Sequence, residues 1–268
     1  MAENKFFMQK IMVIANWKCN PATLKEAARL FDAVEEKIKN IKNAQGIEVV
    51  ICAPSVFLSC FKLGSPSGRA KIGAQDCFWE NKGPYTGEVS PAMLKSVNCD
   101  YVILGHSKRR ELFSETDEII NLKLKAAIAA RLKPILCIGE KMEEREQAKD
   151  VIEQQLRNCL KDISKGQVAN IIIVYEPVWA ISTSDNREDC TPDEAFSSSL
   201  MIRKYLINLY DKYTANKIKI VYGGSVDSSD AVSYIKEAKM DGVLVGAASL
   251  KADEFGKIIS SIAAISNF

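Results

Sequence analysis

The chain has 268 residues, 47% of them hydrophobic and 26% charged, which is enough apolar content to bury a large core and too much for intrinsic disorder. Lys and Arg number 36 against 34 Asp and Glu, and this balance along the chain argues against a protein that binds by neutralising phosphates, so no nucleic-acid partner is expected. Eight cysteines, at 19, 52, 60, 77, 99, 137, 159 and 190, form no C-x-x-C pair and no cluster with histidine, so no metal or dithiol site is indicated and the thiols read as reduced, in a cytoplasmic protein.

At the N-terminus, Lys10 splits the apolar run that starts at Lys5, and no small-x-small cleavage site follows, so no signal peptide is read there. No membrane span is expected either, because no apolar run reaches the roughly 20 residues needed to cross a bilayer. From residue 11 onward, short β-branched runs alternate with longer amphipathic or alanine-rich segments, the pattern of parallel strands joined by crossover helices. Strand 11–16 (IMVIAN) precedes helix 22–39; strand 48–53 precedes helix 55–62; strand 71–75 precedes helix 90–97; strand 101–105 precedes helix 115–131. The second half repeats the alternation with strand 134–139 and helix 141–162, strand 171–176 and helix 193–213, strand 218–222 and helix 228–238, and strand 242–246 and helix 252–264. Most of these strands are continuously apolar, so both faces should be buried. Thr191-Pro192-Asp193-Glu194 predicts a helix start: a capping residue, a proline at the first helical position and acids in the first turn.

Eight such units form one eightfold β/α barrel, an α/β fold expected to occupy 1–268 as a single domain; a doubly wound open sheet uses the same alphabet and is the alternative. No linker, low-complexity tract or repeat divides the chain. Connections 76–89 and 177–190 are longer than usual, and long loops at the carboxyl ends of barrel strands carry function.

Candidate chemistry therefore sits where strands end. The first strand ends in Asn16-Trp17-Lys18, an amide and an ammonium on one tip, although a lysine there is on average a solvated loop residue. The fourth ends in Gly105-His106-Ser107-Lys108. His106 is the only histidine of the chain, and at the start of a helical turn the helix's positive end would keep its imidazole neutral, as a hydrogen-bond donor to a substrate oxygen. The sixth ends in Tyr175-Glu176-Pro177, where burial is expected to raise the Glu176 pKa toward that of a useful base. The seventh and eighth end in Gly223-Gly224-Ser225 and Gly246-Ala247, compositions suited to cradling a phosphate on backbone amides. With no metal ligands and no cofactor fingerprint, this set fits proton abstraction next to a carbonyl in a small phosphorylated sugar, needing neither metal nor cofactor. No G-x-S-x-G elbow argues for hydrolysis.

Over essentially its whole length the sequence resembles the triosephosphate isomerase family. The matching segments are Asn16-Trp17-Lys18-Cys19-Asn20, Gly73-Ala74-Gln75-Asp76, Tyr85-Thr86-Gly87-Glu88, Gly105-His106-Ser107, Cys137-Ile138-Gly139-Glu140, Tyr175-Glu176-Pro177-Val178-Trp179-Ala180-Ile181, Tyr222-Gly223-Gly224-Ser225-Val226 and Asp241-Gly242-Val243-Leu244-Val245-Gly246. The resemblance implies a TIM barrel of glycolysis and gluconeogenesis that interconverts dihydroxyacetone phosphate and D-glyceraldehyde 3-phosphate through an enediolate. It implies Glu176 as base and His106 as neutral electrophile, the pair already known for this family, with Lys18 as the cation opposite the substrate and Asn16 as its neighbour. Ser182, Ser225, Gly246 and Ala247 would hold the phosphate. The family is typically a homodimer, which would place Thr86, in Gly83-Pro84-Tyr85-Thr86-Gly87, near the partner's site.

Three departures from the family pattern carry expectations of their own. Lys108 stands where the family has a glutamate, and two ammonium groups in a small site should depress each other's pKa and displace Lys18. The lid normally reads Ala-Ile-Gly-Thr-Gly with a short return; here Ala180-Ile181-Ser182-Thr183-Ser184 leads into the longer, acidic Asp185-Asn186-Arg187-Glu188-Asp189-Cys190. Losing glycines removes access to positive φ, and the added carboxylates should repel a phosphate dianion. Gly246-Ala247 replaces a Gly-Gly pair and keeps the amide donor. These changes leave open an isomerase of a longer ketose phosphate, of the erythrulose phosphate type, or a phosphate-binding barrel with little or no turnover.

Overall fold

Eight parallel strands close on themselves in the computed structural model, which describes residues 10–61, 69–182, 184 and 187–266. They are β1 (Ile11–Asn16), β2 (Ile47–Cys52), β3 (Lys71–Ala74), β4 (Tyr101–Leu104), β5 (Lys133–Ile138), β6 (Ile172–Tyr175), β7 (Lys219–Tyr222) and β8 (Gly242–Val245). Each pairs with the next in sequence, and β8 returns to β1 with Met12 opposite Gly242 and Ala15 opposite Val245. That closure corrects the open-sheet alternative and leaves no sheet edge.

Alternation along the strands divides the core in two. Met12 and Ile14, Val50 and Cys52, Tyr101 and Ile103, and Ile135 and Cys137 point to one buried cluster inside the barrel. Val13 and Ala15, Val49 and Ile51, Val102 and Leu104 point to the other, against the helices. A strand buried on both faces has no position for a polar residue, which accounts for the continuous apolar runs in the sequence. Cys52 and Cys137 are fully buried within the barrel and pack as small hydrophobes. Gly242 is required by closure, since a Cβ there would lie 2.3 Å from the Met12 carbonyl oxygen across the β1–β8 seam.

The helices are α1 (Leu24–Lys39), α2 (Ser55–Leu58), α3 (Pro91–Ser96), α4 (Ser107–Leu112), α5 (Asp117–Ala129), α6 (Ala148–Cys159), α7 (Lys165–Val168), α8 (Pro192–Leu209), α9 (Lys212–Lys217), α10 (Ala231–Lys236) and α11 (Ala252–Ile265). Thr191 and Glu194 form a capping box at α8 with Pro192 in its first turn, as the sequence predicts.

Three expected helices differ from the periodicity. The 141–162 run opens as a 3₁₀ segment, Met142–Gln147, in which the Glu144 carboxylate accepts from the Lys141 amide at 2.9 Å and tightens the first turns. The 193–213 run breaks at Tyr210, and Asp211 caps a second helix, accepting from the Thr214 amide at 2.7 Å. The 55–62 helix ends at Leu58, and residue 62 lies outside the described residues, as do residues 5–9 and Thr183, Asp185 and Asn186 of the long sixth connection. The short helices α4 and α7 carry too few apolar positions for a periodic signal. No helix among the described residues is long and apolar enough to cross a membrane.

At the carboxyl end of β5 the fold meets the chemistry. Gly139 donates its amide to Gln155 Oε1 at 2.8 Å and accepts from Gln155 Nε2 at 3.0 Å, and a Cβ on it would fall 2.0 Å from the Glu176 carbonyl oxygen. Backbone cannot yield as a side-chain tip can, so Gly139→Ala is expected to cost about 2–3 kcal/mol, a fall in Tm of several degrees. Thermal unfolding checks it, and turnover should fall as well, because the displaced strand end carries Glu176.

Candidate active site

Glu176 follows the last residue of β6 and continues the β5–β6 ladder, its amide donating to the Ile138 carbonyl at 2.7 Å. The residue is 3% exposed and its carboxylate is held on both oxygens. Oε2 accepts from the Ser107 amide at 3.0 Å, and Oε1 lies 3.0 Å from His106 Nε2. Burial pushes the Glu176 carboxyl up, but His106, the Ser107 amide and the Lys18 ammonium outweigh it and hold the group below the usual carboxylate range. The expectation that burial alone would raise it is thus corrected: apolar sequence around a carboxylate gives the desolvation and conceals the donors.

His106 is the N-cap of α4. Its Nδ1 accepts from the Lys108 amide at 3.2 Å, leaving Nε2 as the protonated nitrogen that faces Glu176. Accepting at one nitrogen and donating at the other is the hydrogen-bonding pattern that a neutral ring offers. Behind α4 lies a charged cluster: Arg109 Nε and Nη2 reach Glu115 at 2.7 Å and Asp76 at 2.8 Å, and the buried Lys123 ammonium reaches Asp76 at 2.8 Å and also Glu115. These contacts tie the helix bearing His106 and Ser107 to the loop after β3 and to α5. Sequence reasoning assigned this cluster no role, although a lysine at 123 on an otherwise apolar helix stretch was the available signal.

Lys18 adopts φ +55°, a left-handed conformation that a non-glycine residue occupies at a cost. Asn16 supports it, its Oδ1 accepting from the Lys18 amide at 3.0 Å. The ammonium lies beside Gly246, where a Cβ would be 3.6 Å from Nζ. Burial lowers the Lys18 pKa, nearby Glu176 raises it, and Lys108 lowers it further, leaving the group below the usual lysine value. Lys108 does not displace Lys18 as expected, however. Its ammonium turns to Glu111 on the same helix, 2.8 Å away, and it acts on Lys18 only through space.

Lys18 and Glu176 open on a cavity of about 310 Å³ whose wall also includes Ser182, Ser225, Gly246 and Ala247, so all four expected phosphate contacts are brought together. His106 and Asn16 are not part of that wall; they stand one contact behind it, on Glu176 and Lys18 respectively. The Ser225 amide is occupied, donating to the Ala180 carbonyl at 3.0 Å. Among the described acids of the lid, Glu188 pairs at 2.6 Å with Arg145, which also pairs with Glu194, and Asp189 pairs with Arg187. Glu140, quoted above only as part of a motif, accepts at Oε1 from Tyr175 Oη at 3.0 Å and from Trp179 Nε1 at 2.8 Å, anchoring the first turn of the lid. Thr86 lies on an exposed loop tip.

The chain matches the triosephosphate isomerase family over residues 11–262. It is 42% identical over 256 residues to the triosephosphate isomerase of Dictyoglomus thermophilum, covering 95% of this chain and 100% of that protein. It is similarly 42% identical over 255 residues to the triosephosphate isomerase of Caldanaerobacter subterraneus subsp. tengcongensis, covering 94% and 100% of the two chains.

The charge on Lys108 has a measurable consequence. Removing a cation that lowers the Lys18 pKa raises that pKa, so Lys108→Gln should move the alkaline limb of kcat/KM to higher pH. A pH–rate profile of the variant beside the parent checks the direction.

Proposed function

The chain belongs to the triosephosphate isomerase family, and from that premise we propose how its residues interconvert dihydroxyacetone phosphate and D-glyceraldehyde 3-phosphate. Glu176 takes the proton from the carbon next to the carbonyl, and His106 Nε2–H donates to the carbonyl oxygen as it gains negative charge. The Lys18 ammonium stabilises the enediolate and its phosphate. The backbone around Ser182, Ser225, Gly246 and Ala247 holds the phosphate, which fixes the reacting carbons relative to the base. A proton then passes, through His106, from the hydroxyl oxygen on the deprotonated carbon to the former carbonyl oxygen, and Glu176 returns its proton to the former carbonyl carbon, so that the carbonyl ends on the neighbouring carbon.

The observation that supports this reading most strongly is the pairing of Glu176 with His106 Nε2 at 3.0 Å beside a cavity that also holds Lys18. A substrate carbonyl that takes the Nε2–H removes one of the contacts holding the carboxyl low. Its pKa rises as that contact is lost, and Glu176 becomes a stronger base where the proton is to be taken.

The same proposal treats 1–268 as one domain in a cytoplasmic homodimer, with a phosphorylated triose as substrate and with no nucleic acid or membrane as partner. Exposed Tyr85, Met93, Leu112 and Phe113 support a second copy covering this side and bringing Thr86 near the partner's site. No observation favours a longer ketose phosphate or a barrel without turnover. A coupled assay with both triose phosphates beside a four-carbon ketose phosphate tests all three readings, and turnover of the trioses alone is expected.

Glu176→Gln should lower kcat by about 10³-fold, within the range that a positioned general base supplies, because an amide cannot accept the proton. Its Tm and its affinity for inorganic phosphate should stay near the parent's. Turnover within a few-fold of the parent would place the base elsewhere.

A further inference from the structure

One guanidinium joins three parts of the connection between β6 and α8. Arg145, in the 3₁₀ segment Met142–Gln147, lies 4.1 Å over the ring of Trp179. Its Nη1 bonds Glu188 Oε2 at 2.6 Å, and its Nη2 bonds Glu194 Oε1 at 2.6 Å. Trp179 belongs to the turn that leaves the strand, Glu188 to the return, and Glu194 to the capping box of α8. Glu188 is also bound through its backbone, its amide donating to the Trp179 carbonyl at 3.2 Å. The return is thus fastened to the departing turn twice, once by a main-chain bond and once through Arg145. Immediately after that turn come Ile181 and Ser182, which form part of the substrate cavity wall.

We propose that Glu188, acting through Arg145, is a positioning residue for the Ile181–Ser182 wall of the substrate cavity. A longer connection has more conformations to lose when its wall is fixed against a ligand. The Arg145 contacts restrict those conformations before ligand arrives, so less ordering is left to be done on binding. Glu188 touches neither substrate nor reacting atoms, and its effect falls on binding rather than on the proton transfer. The proposal rests on the cavity being the phosphate site.

Simple electrostatics gives the opposite sign, which makes the two accounts separable. If Glu188 mattered through its charge on the phosphate dianion, neutralising it would tighten binding. If it positions the wall, neutralising it loosens binding. An ion pair this exposed is weak, so a two- to fivefold effect is expected at low ionic strength, shrinking as salt screens the pair.

The experiment compares Glu188→Gln, Arg145→Gln and the double variant with the parent, at low and at high KCl, in two measurements. The first is kcat and KM for both triose phosphates; the second is the rise in Tm produced by inorganic phosphate, which does not depend on turnover. The proposal expects Glu188→Gln to raise KM and reduce the phosphate-induced rise in Tm by an amount equivalent to two- to fivefold weaker binding. It expects kcat to stay within twofold and the Tm without phosphate to be unchanged. Adding Glu188→Gln to Arg145→Gln should have no further effect on either binding readout. Unchanged or tighter phosphate binding in Glu188→Gln overturns the proposal, and so does an undiminished effect in the Arg145→Gln background. Should the parent bind phosphate without isomerising trioses, the isomerase reading fails while the phosphate measurement still decides the role of Glu188.

Discussion

The site depends on one arrangement: a buried carboxylate, Glu176, held between the Ser107 amide and His106 Nε2. The two donors come from the turn after β4 and the acceptor from the end of β6, two strands apart in the barrel. They meet at 3.0 Å across β5, the strand between them, where Gly139 has no side chain to press on the Glu176 backbone. The helix start that caps on His106 Nδ1 settles which ring nitrogen carries the proton. One local turn therefore fixes the carboxylate and the imidazole relative to each other, and the ion cluster behind α4 keeps that turn in place.

Much of this was legible in the sequence, and the limits have physical causes. The eight strands were readable because a barrel strand is buried on both faces and is apolar along that buried stretch, so each run stands out against charged helices. Closure was less accessible, because the seam depends on Gly242 meeting Met12, a contact between residues 230 positions apart along the chain that no local pattern reports. Glu176, His106 and Lys18 were found as polar residues at strand ends. The direction of the Glu176 pKa was not, because a sequence displays the burial and not the backbone amide from another loop that opposes it. Arg145 was missed for a related reason: in a run of alternating charges nothing marks the one arginine that lies over a tryptophan.

The departures from the family pattern are absorbed by local pairing. Lys108 would add a cation beside Lys18, but Glu111 lies one helical turn away and draws the ammonium outward. The acids at Glu188 and Asp189 would face the phosphate with negative charge, but each is matched by an arginine, at 145 and 187. Each of these three charges thus has a partner close by, while Lys108 still acts on Lys18 through space. Compensation of this kind depends on positions such as 111 and 145, so a substitution at one position of a site cannot be judged without its neighbours.

The central claim is that an ionised carboxylate faces a neutral imidazole protonated on Nε2. Because His106 is the only histidine of the chain, the nitrogen-15 spectrum of histidine-labelled protein reports it without assignment. At pH 7 the account predicts one nitrogen with the shift of a protonated, pyrrole-type atom, identified as Nε2 by its couplings, and one with the shift of an unprotonated, pyridine-type atom, Nδ1. Two protonated nitrogens at that pH, or a proton on Nδ1, would contradict it.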